Sequence, residues 1–240
     1  MPAVVVIGAR NLGGAILDRF IADGWDAAAI ARSEETLEKV RARGAIAIAA
    51  DAKDAGQLAA ALESAREQLG GLDVIVNAAS SARPTPGEPF GGGRIDEATL
   101  ERWRRWGGGV AEMAVVFLSE GARALKASGG GALVQVTNAL ARRPAPAEGL
   151  WASGQTALRT LVQAAADELR EEGIRASLVI VDAHIDSPKT ARFVEESGVD
   201  RGTLADQSAI ADAVLFAATR DPRGLTYELI VSAAGNPWIP

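Results

Sequence analysis

The chain has 240 residues, 48% of them hydrophobic and 23% charged, with a formal net charge of -6, no cysteine and a single histidine. That length and balance fit one large globular domain over residues 1–240. The missing cysteines exclude disulfides and thiolate chemistry, one imidazole argues against a catalytic zinc or other metal site, and the acidic balance argues against a nucleic-acid partner.

In chain order, short β-rich runs alternate with longer amphipathic segments. Strands are expected at Ala3–Ile7, Asp26–Ala31, Ala45–Ala49, Val74–Val76, Ala132–Thr137, Ala176–Val181 and Thr226–Val231. Helices are expected near Gly14–Ala22, Ser33–Arg43, Ala55–Gln68, Asp96–Arg105, Val110–Lys126, Trp151–Glu171 and Asp206–Ala218. This alternation is the pattern of a parallel sheet covered by helices on both faces. Ser33 followed by Glu34 and Glu35 reads as a helix start through capping and the macrodipole. Glycine triplets at 91–93, 107–109 and 129–131 read as flexible connections; the second falls where two helices should meet, and glycine costs about 1 kcal/mol per helical residue. Arg102, Arg104 and Arg105, flanked by Glu101, Trp103 and Trp106, read as one solvated helix face. The longest apolar runs, Ala27–Ala31 and Leu178–Val181, fall far short of a membrane span, and no basic stretch precedes the first apolar run, so a cytoplasmic location is expected.

The first strand leads into Gly8-Ala9-Arg10-Asn11-Leu12-Gly13-Gly14-Ala15 and then a helix. There, backbone N–H groups and a helix N-terminus hold a pyrophosphate, with glycines for the tight turn and the close approach of the phosphates. Against the pattern Gly-x-x-x-Gly-x-Gly, an ungapped match puts Leu12 on the middle glycine, whereas one deletion puts Asn11 there and Gly13 last. Asn tolerates positive φ best among non-glycine residues, which favours the second match. About 20 residues past the turn, where an acid would select NAD(H), the second strand ends in Ala31-Arg32-Ser33. Arg32 suits a 2′-phosphate, so a bound dinucleotide is expected to be NADP(H).

With these elements in order, the chain resembles the short-chain dehydrogenase/reductase family over nearly its whole length. The resemblance implies a doubly wound Rossmann fold with seven parallel strands. It further implies that Asp51 and Ala52 flank the adenine and that Asn77-Ala78-Ala79-Ser80 stands for the family's Asn-Asn-Ala-Gly segment. Ile185 would close over the nicotinamide in place of the Pro-Gly-x-Ile/Val-x-Thr segment, where Asp182 and Ala183 replace Pro-Gly. A dimer or tetramer through the helices at 110–126 and 151–171 is the family habit. The segment Ser81–Arg94 and the loop after Pro188 would shape the substrate pocket.

The same resemblance exposes four vacated positions. The family's general acid Tyr and its Lys, paired as Tyr-x-x-x-Lys, become Trp151 and Gln155; its Ser becomes Asn138; its Asn falls on Val110. An indole N–H is no proton source near neutral pH, and a neutral amide cannot depress a neighbouring pKa, so ordinary carbonyl reduction loses an acid/base contribution of about 10² to 10⁴-fold. Three readings follow. The chain binds NADP(H) with absent or non-standard catalysis; or it is an active oxidoreductase or lyase with a site rearranged around Asn138, Trp151 and His184, the last beside Asp182 and Asp186; or it is a cofactor-free interaction subunit, which the altered glycine turn would favour.

Overall fold

The computed structural model describes residues 1–80 and 87–236. Seven parallel strands, β1 (Ala3–Ile7), β2 (Asp26–Ala31), β3 (Ile46–Ala49), β4 (Val74–Asn77), β5 (Gly131–Asn138), β6 (Ile174–Val181) and β7 (Glu228–Val231), form one sheet in the order β3-β2-β1-β4-β5-β6-β7. The order reverses between β1 and β4, and an open α/β sheet offers its ligand crevice at that switch point, beyond the C-terminal strand ends.

Side-chain alternation divides the sheet residues between two cores, because successive residues of a strand face opposite ways. Val5 and Ile7 pack with Leu58, Leu62, Phe117, Leu125, Leu158 and Val162, which belong to α3 (Ala55–Leu69), α5 (Gly109–Ser128) and α6 (Gly149–Glu168). Val4 and Val6 pack with Ile16, Leu17, Phe20, Val40, Ile210 and Val214 of α1 (Leu12–Ala22), α2 (Glu34–Ala42) and α8 (Gln207–Ala218). Strands buried on both faces explain the unbroken apolar runs of the sequence.

Two segments differ from their sequence reading. The expected helix Asp96–Arg105 is a 3₁₀ turn at Ile95–Glu97 and a short α4 (Leu100–Trp103), capped by Thr99 Oγ1 accepting from the Arg102 N–H at 3.1 Å. From there the chain stays helical, through a π turn at Arg104–Gly108 into α5. The glycines at 107–109 therefore lie within helix rather than in a flexible connection. Gly107 is small because α6 crosses there: a Cβ on Gly154 would overlap the Gly107 carbonyl oxygen, and one on Gly107 would stand 2.5 Å from Leu150 O. The arginine cluster is also more than a solvated face. Arg102 donates to Glu97 O at 3.2 Å, Arg105 bridges Glu88 and Glu101, and the flanking Trp106 is buried.

The stretch after Pro188, read as a loop, forms α7 (Pro188–Ser197). Ser187 and Thr190 make a reciprocal capping box, and Pro188 opens the first turn, where its missing N–H costs nothing. Among the described residues no helix is long and apolar enough to cross a membrane.

Candidate dinucleotide and substrate cleft

At the end of β1, Gly8 has φ 87 and Asn11 has φ 49, while Leu12 already begins α1. Asn11, with φ 49 and ψ -114, therefore takes the positive-φ position of the turn, where the gapped match places it. A Cβ on Gly8 would stand 2.6 Å from Ala79 Cα, and one on Gly13 would overlap the Gly8 carbonyl oxygen. The turn thus closes tightly against the end of β4. Asn11 caps α1 without a side-chain hydrogen bond, and the first turn of α1 holds no acid. The positive end of the helix is left for an anion, and the residues fit a pyrophosphate on this ground.

Beside the turn, Arg32 stands 3.5 Å from Asp51, both half-exposed. Arg10 is exposed and close enough to act on Glu35 of α2. Two cations thus flank the end of β2, Arg32 in a weak surface pair that a phosphate can replace. Ser33 turns its hydroxyl to Thr36 Oγ1 at 2.7 Å rather than to the α2 backbone, and Ala52 packs on the core under the third strand's turn. Asn77 is fully buried and engaged at both ends: its Nδ2 donates to Gln135 Oε1 at 3.0 Å and its Oδ1 accepts from the Ala79 N–H at 3.1 Å. Its role is to fix the β4 turn. Ile185 is half-buried against the core and bridges Ala205.

The vacated catalytic positions lie together at the other half of the cleft. Asn138 ends β5 with its Oδ1 accepting from the Leu140 N–H at 3.0 Å, which leaves its Nδ2 donors. Gln155 is 7% exposed and accepts from Thr137 Oγ1 at 2.6 Å, so it is tied to the sheet. Val110 is buried in α5. Trp151 stacks edge-on against Phe90 (5.2 Å between centroids) and lies 5.8 Å from Trp106, which itself meets Phe90 at 5.7 Å. The Nε1 atoms of Trp151 and Trp106 are both buried and unpartnered. Trp151 thus behaves as an apolar plug, and its N–H does not face open solvent.

His184 is exposed in the turn after β6, but its sequence neighbours are committed elsewhere. Asp182 is 4% exposed and accepts from Arg143 at 2.5 Å, and Asp186 pairs with Arg201 at 3.6 Å. Burial pushes the carboxyl of Glu148, the cap residue of α6, above the usual carboxylate range, and His184 opposes that push. Sequence reading passed over Glu148, Phe90 and Arg143; an acid one turn ahead of the vacated tyrosine position was the available signal. Of the expected pocket-shaping segment Ser81–Arg94, residues 81–86 lie outside the described residues. Among the described residues no group of three or more His, Asp or Glu could hold a metal.

A doubly wound parallel sheet with a glycine turn at its switch point defines a dinucleotide-type α/β protein. The short chain dehydrogenase family matches residues 2–194, and the chain belongs to that family. Its relatives include the 2,5-dichloro-2,5-cyclohexadiene-1,4-diol dehydrogenase LinX of Sphingobium indicum, 26% identical over 93% of this chain and 91% of that protein. The 2-(R)-hydroxypropyl-CoM dehydrogenase of Xanthobacter autotrophicus is 25% identical over 90% of this chain and 91% of its own length. Two solved structures share the fold. The Thermococcus sibiricus alcohol dehydrogenase complexed with 5-hydroxy-NADP is 21% identical, with TM-score 0.78 over all of both chains (100% and 100%). The NADPH-bound short chain oxidoreductase of Pseudomonas aeruginosa PAO1, containing an atypical catalytic center, is 22% identical, with TM-score 0.80 over 99% of this chain and 98% of that one.

Proposed function

We propose that this chain binds NADP(H) as an atypical short-chain oxidoreductase whose cleft lacks the family's Tyr-Lys proton relay. The observation that carries the reading is the glycine turn: Asn11 takes a positive φ, and the α1 N-terminus is free of a side-chain cap. Arg10 and Arg32 would hold the 2′-phosphate, Asp51 and Ala52 would border the adenine, and Ile185 would cover the nicotinamide. When bound, the nicotinamide supplies or accepts a hydride. Trp151 and Gln155 supply neither an acid nor a charge, while Asn138 offers amide donors to a substrate oxygen. The P. aeruginosa fold neighbour supports the reading, since it holds NADPH beside an atypical centre.

Thermal unfolding with NADPH, NADH and no ligand tests it. At about 100 times its dissociation constant a ligand adds about 2.7 kcal/mol. For a chain of this size that raises Tm by about 5 to 10 °C. The shift with NADPH is expected to exceed that with NADH, and Arg32→Ala to cut NADPH affinity about tenfold by removing a charged hydrogen bond. Equal shifts would refute the cofactor preference; no shift with either nucleotide would refute dinucleotide binding.

A further inference from the structure

Among the described residues the buried carboxylates are Glu120 and Asp182. Glu120 pairs with Arg123, three residues on in the same helix, a contact that joins nothing beyond α5. Asp182 instead accepts from the Arg143 guanidinium, 39 residues away in sequence, at 2.5 Å. A buried ion pair is a poor route to stability, because lost hydration offsets most of the attraction and an apolar pair of similar volume holds a fold as well. What this pair supplies is a fixed separation between the two segments that it joins.

Strands β5 and β6 run side by side to their last residues, where Asn138 lies opposite Val181. Beyond that point the ladder ends and the two chains go separate ways. Arg143 hangs from the turn that orients Asn138: Asn138 Oδ1 accepts from the Leu140 N–H at 3.0 Å, and the Arg143 N–H donates to Ala139 O at 3.0 Å. Asp182 opens the segment that leads to Ile185, and that segment is held from two further sides. Ser232 Oγ and Asn236 Nδ2 donate to Asp182 O at 2.8 and 2.5 Å. The Ala205 N–H donates to His184 O at 2.8 Å, the Asp186 N–H to Ala205 O at 2.9 Å, and Gln207 Nε2 to Asp186 O at 2.7 Å. Of these ties, the Arg143–Asp182 pair reaches across to the Asn138 side of the cleft. A proline at 182, which the family resemblance would place there, fixes its backbone through its ring; an aspartate relies on its contacts.

We propose that Arg143 and Asp182 are positioning residues for the nicotinamide half of the cofactor: their ion pair holds the Ile185 segment and the Asn138 turn at the separation that the ring needs, before the nucleotide binds. This rests on the nucleotide reading above. A cleft already in its binding shape spares the ligand the cost of ordering it, so loss of the pair lowers affinity in proportion to the molecules left misshapen. In the same reading the phosphates lie at the glycine turn and Arg32, on elements that the pair does not touch, and their binding is independent of it.

Titration calorimetry with NADPH and with 2′-phospho-ADP-ribose, the same nucleotide without its nicotinamide, separates the two halves. Asp182→Asn is expected to weaken NADPH about tenfold, the effect of one lost charged hydrogen bond, while the fragment binds within about twofold of its wild-type affinity. Arg143→Met combined with Asp182→Leu replaces the pair by an apolar contact and is expected to match the wild-type Tm. It should still bind NADPH about tenfold more weakly, because apolar contact is non-directional. Equal losses for the two ligands, no loss in Asp182→Asn, or NADPH affinity regained together with stability in the double variant would each overturn the positioning role. A wild type that binds both ligands equally overturns it as well, since the ring then gains no hold. A wild type that binds neither overturns the nucleotide reading itself.

Discussion

The crossing of α6 over the π turn sets two glycines of one helix against each other as probes. A Cβ on Gly154 would overlap the Gly107 carbonyl oxygen and stand 2.7 Å from Gly107 Cα and 2.9 Å from its carbonyl carbon. All three atoms are backbone, so relief requires the helix or the π turn to move. Overpacking of this kind costs about 1 to 3 kcal/mol, while alanine regains about 1 kcal/mol of helix propensity. With three backbone atoms under 3.0 Å the cost falls in the upper part of that range, about 2 to 3 kcal/mol, so Gly154→Ala is expected to lose about 1 to 2 kcal/mol net, lowering Tm by about 2 to 8 °C in a chain of this size. Gly149 opens the same helix and meets nothing within 4 Å, so Gly149→Ala keeps the propensity gain of up to about 1 kcal/mol and raises Tm slightly. Paired thermal and urea unfolding of the two variants gives the answer. Equal stability of the two would refute the claim that Gly107 and Gly154 are required by close backbone approach.

The turn and the sheet edge give two further expectations. Asn11→Gly is expected to gain about 1 kcal/mol because a residue with a Cβ is strained at φ 49 and ψ -114, while Asn11→Ala keeps that strain; urea unfolding showing no gain in Asn11→Gly would refute that assignment. At β7, the Arg159 guanidinium donates to Glu228 at 2.7 and 2.9 Å and holds its carboxyl below the ordinary 4.5, against the effect of burial. A depressed folded-state value means stability fully present above about pH 4.5 and lost as pH falls through the lower folded value. Glu228→Gln should be less stable at neutral pH and less sensitive to acid below that point; parallel stability curves for the two proteins would refute the pairing.

Much of this architecture was legible because the five inner strands are buried on both faces and the helices that cover them carry apolar stripes. All seven strands and the glycine turn stand where alternation and turn chemistry put them, with ends displaced by a residue or two, as at β3 and β7. What escaped had a tertiary cause. The glycines of 107–109 carry helix-breaking propensity, yet they lie within helix, Gly107 closed against α6 at Gly154. The turn of α7 begins with a Ser187–Thr190 box that lacks the usual acid or amide at its third position.

On the proposed reading, the replacements at 151 and 155 are physically one change. At 155 the structure keeps a side chain 7% exposed and held by the Thr137 hydroxyl, a place where a lysine ammonium would bear the desolvation cost of a buried cation. The glutamine amide accepts the Thr137 hydrogen bond without that cost. Without a cation there, a tyrosine at 151 would have nothing to stabilise its phenolate, and the position is open to a ring chosen for packing. Trp151 fills it against Phe90 and Trp106. Edge-to-face contacts of about 0.5 to 1.5 kcal/mol each offset part of the penalty, about 1 to 3 kcal/mol, of its unpartnered N–H.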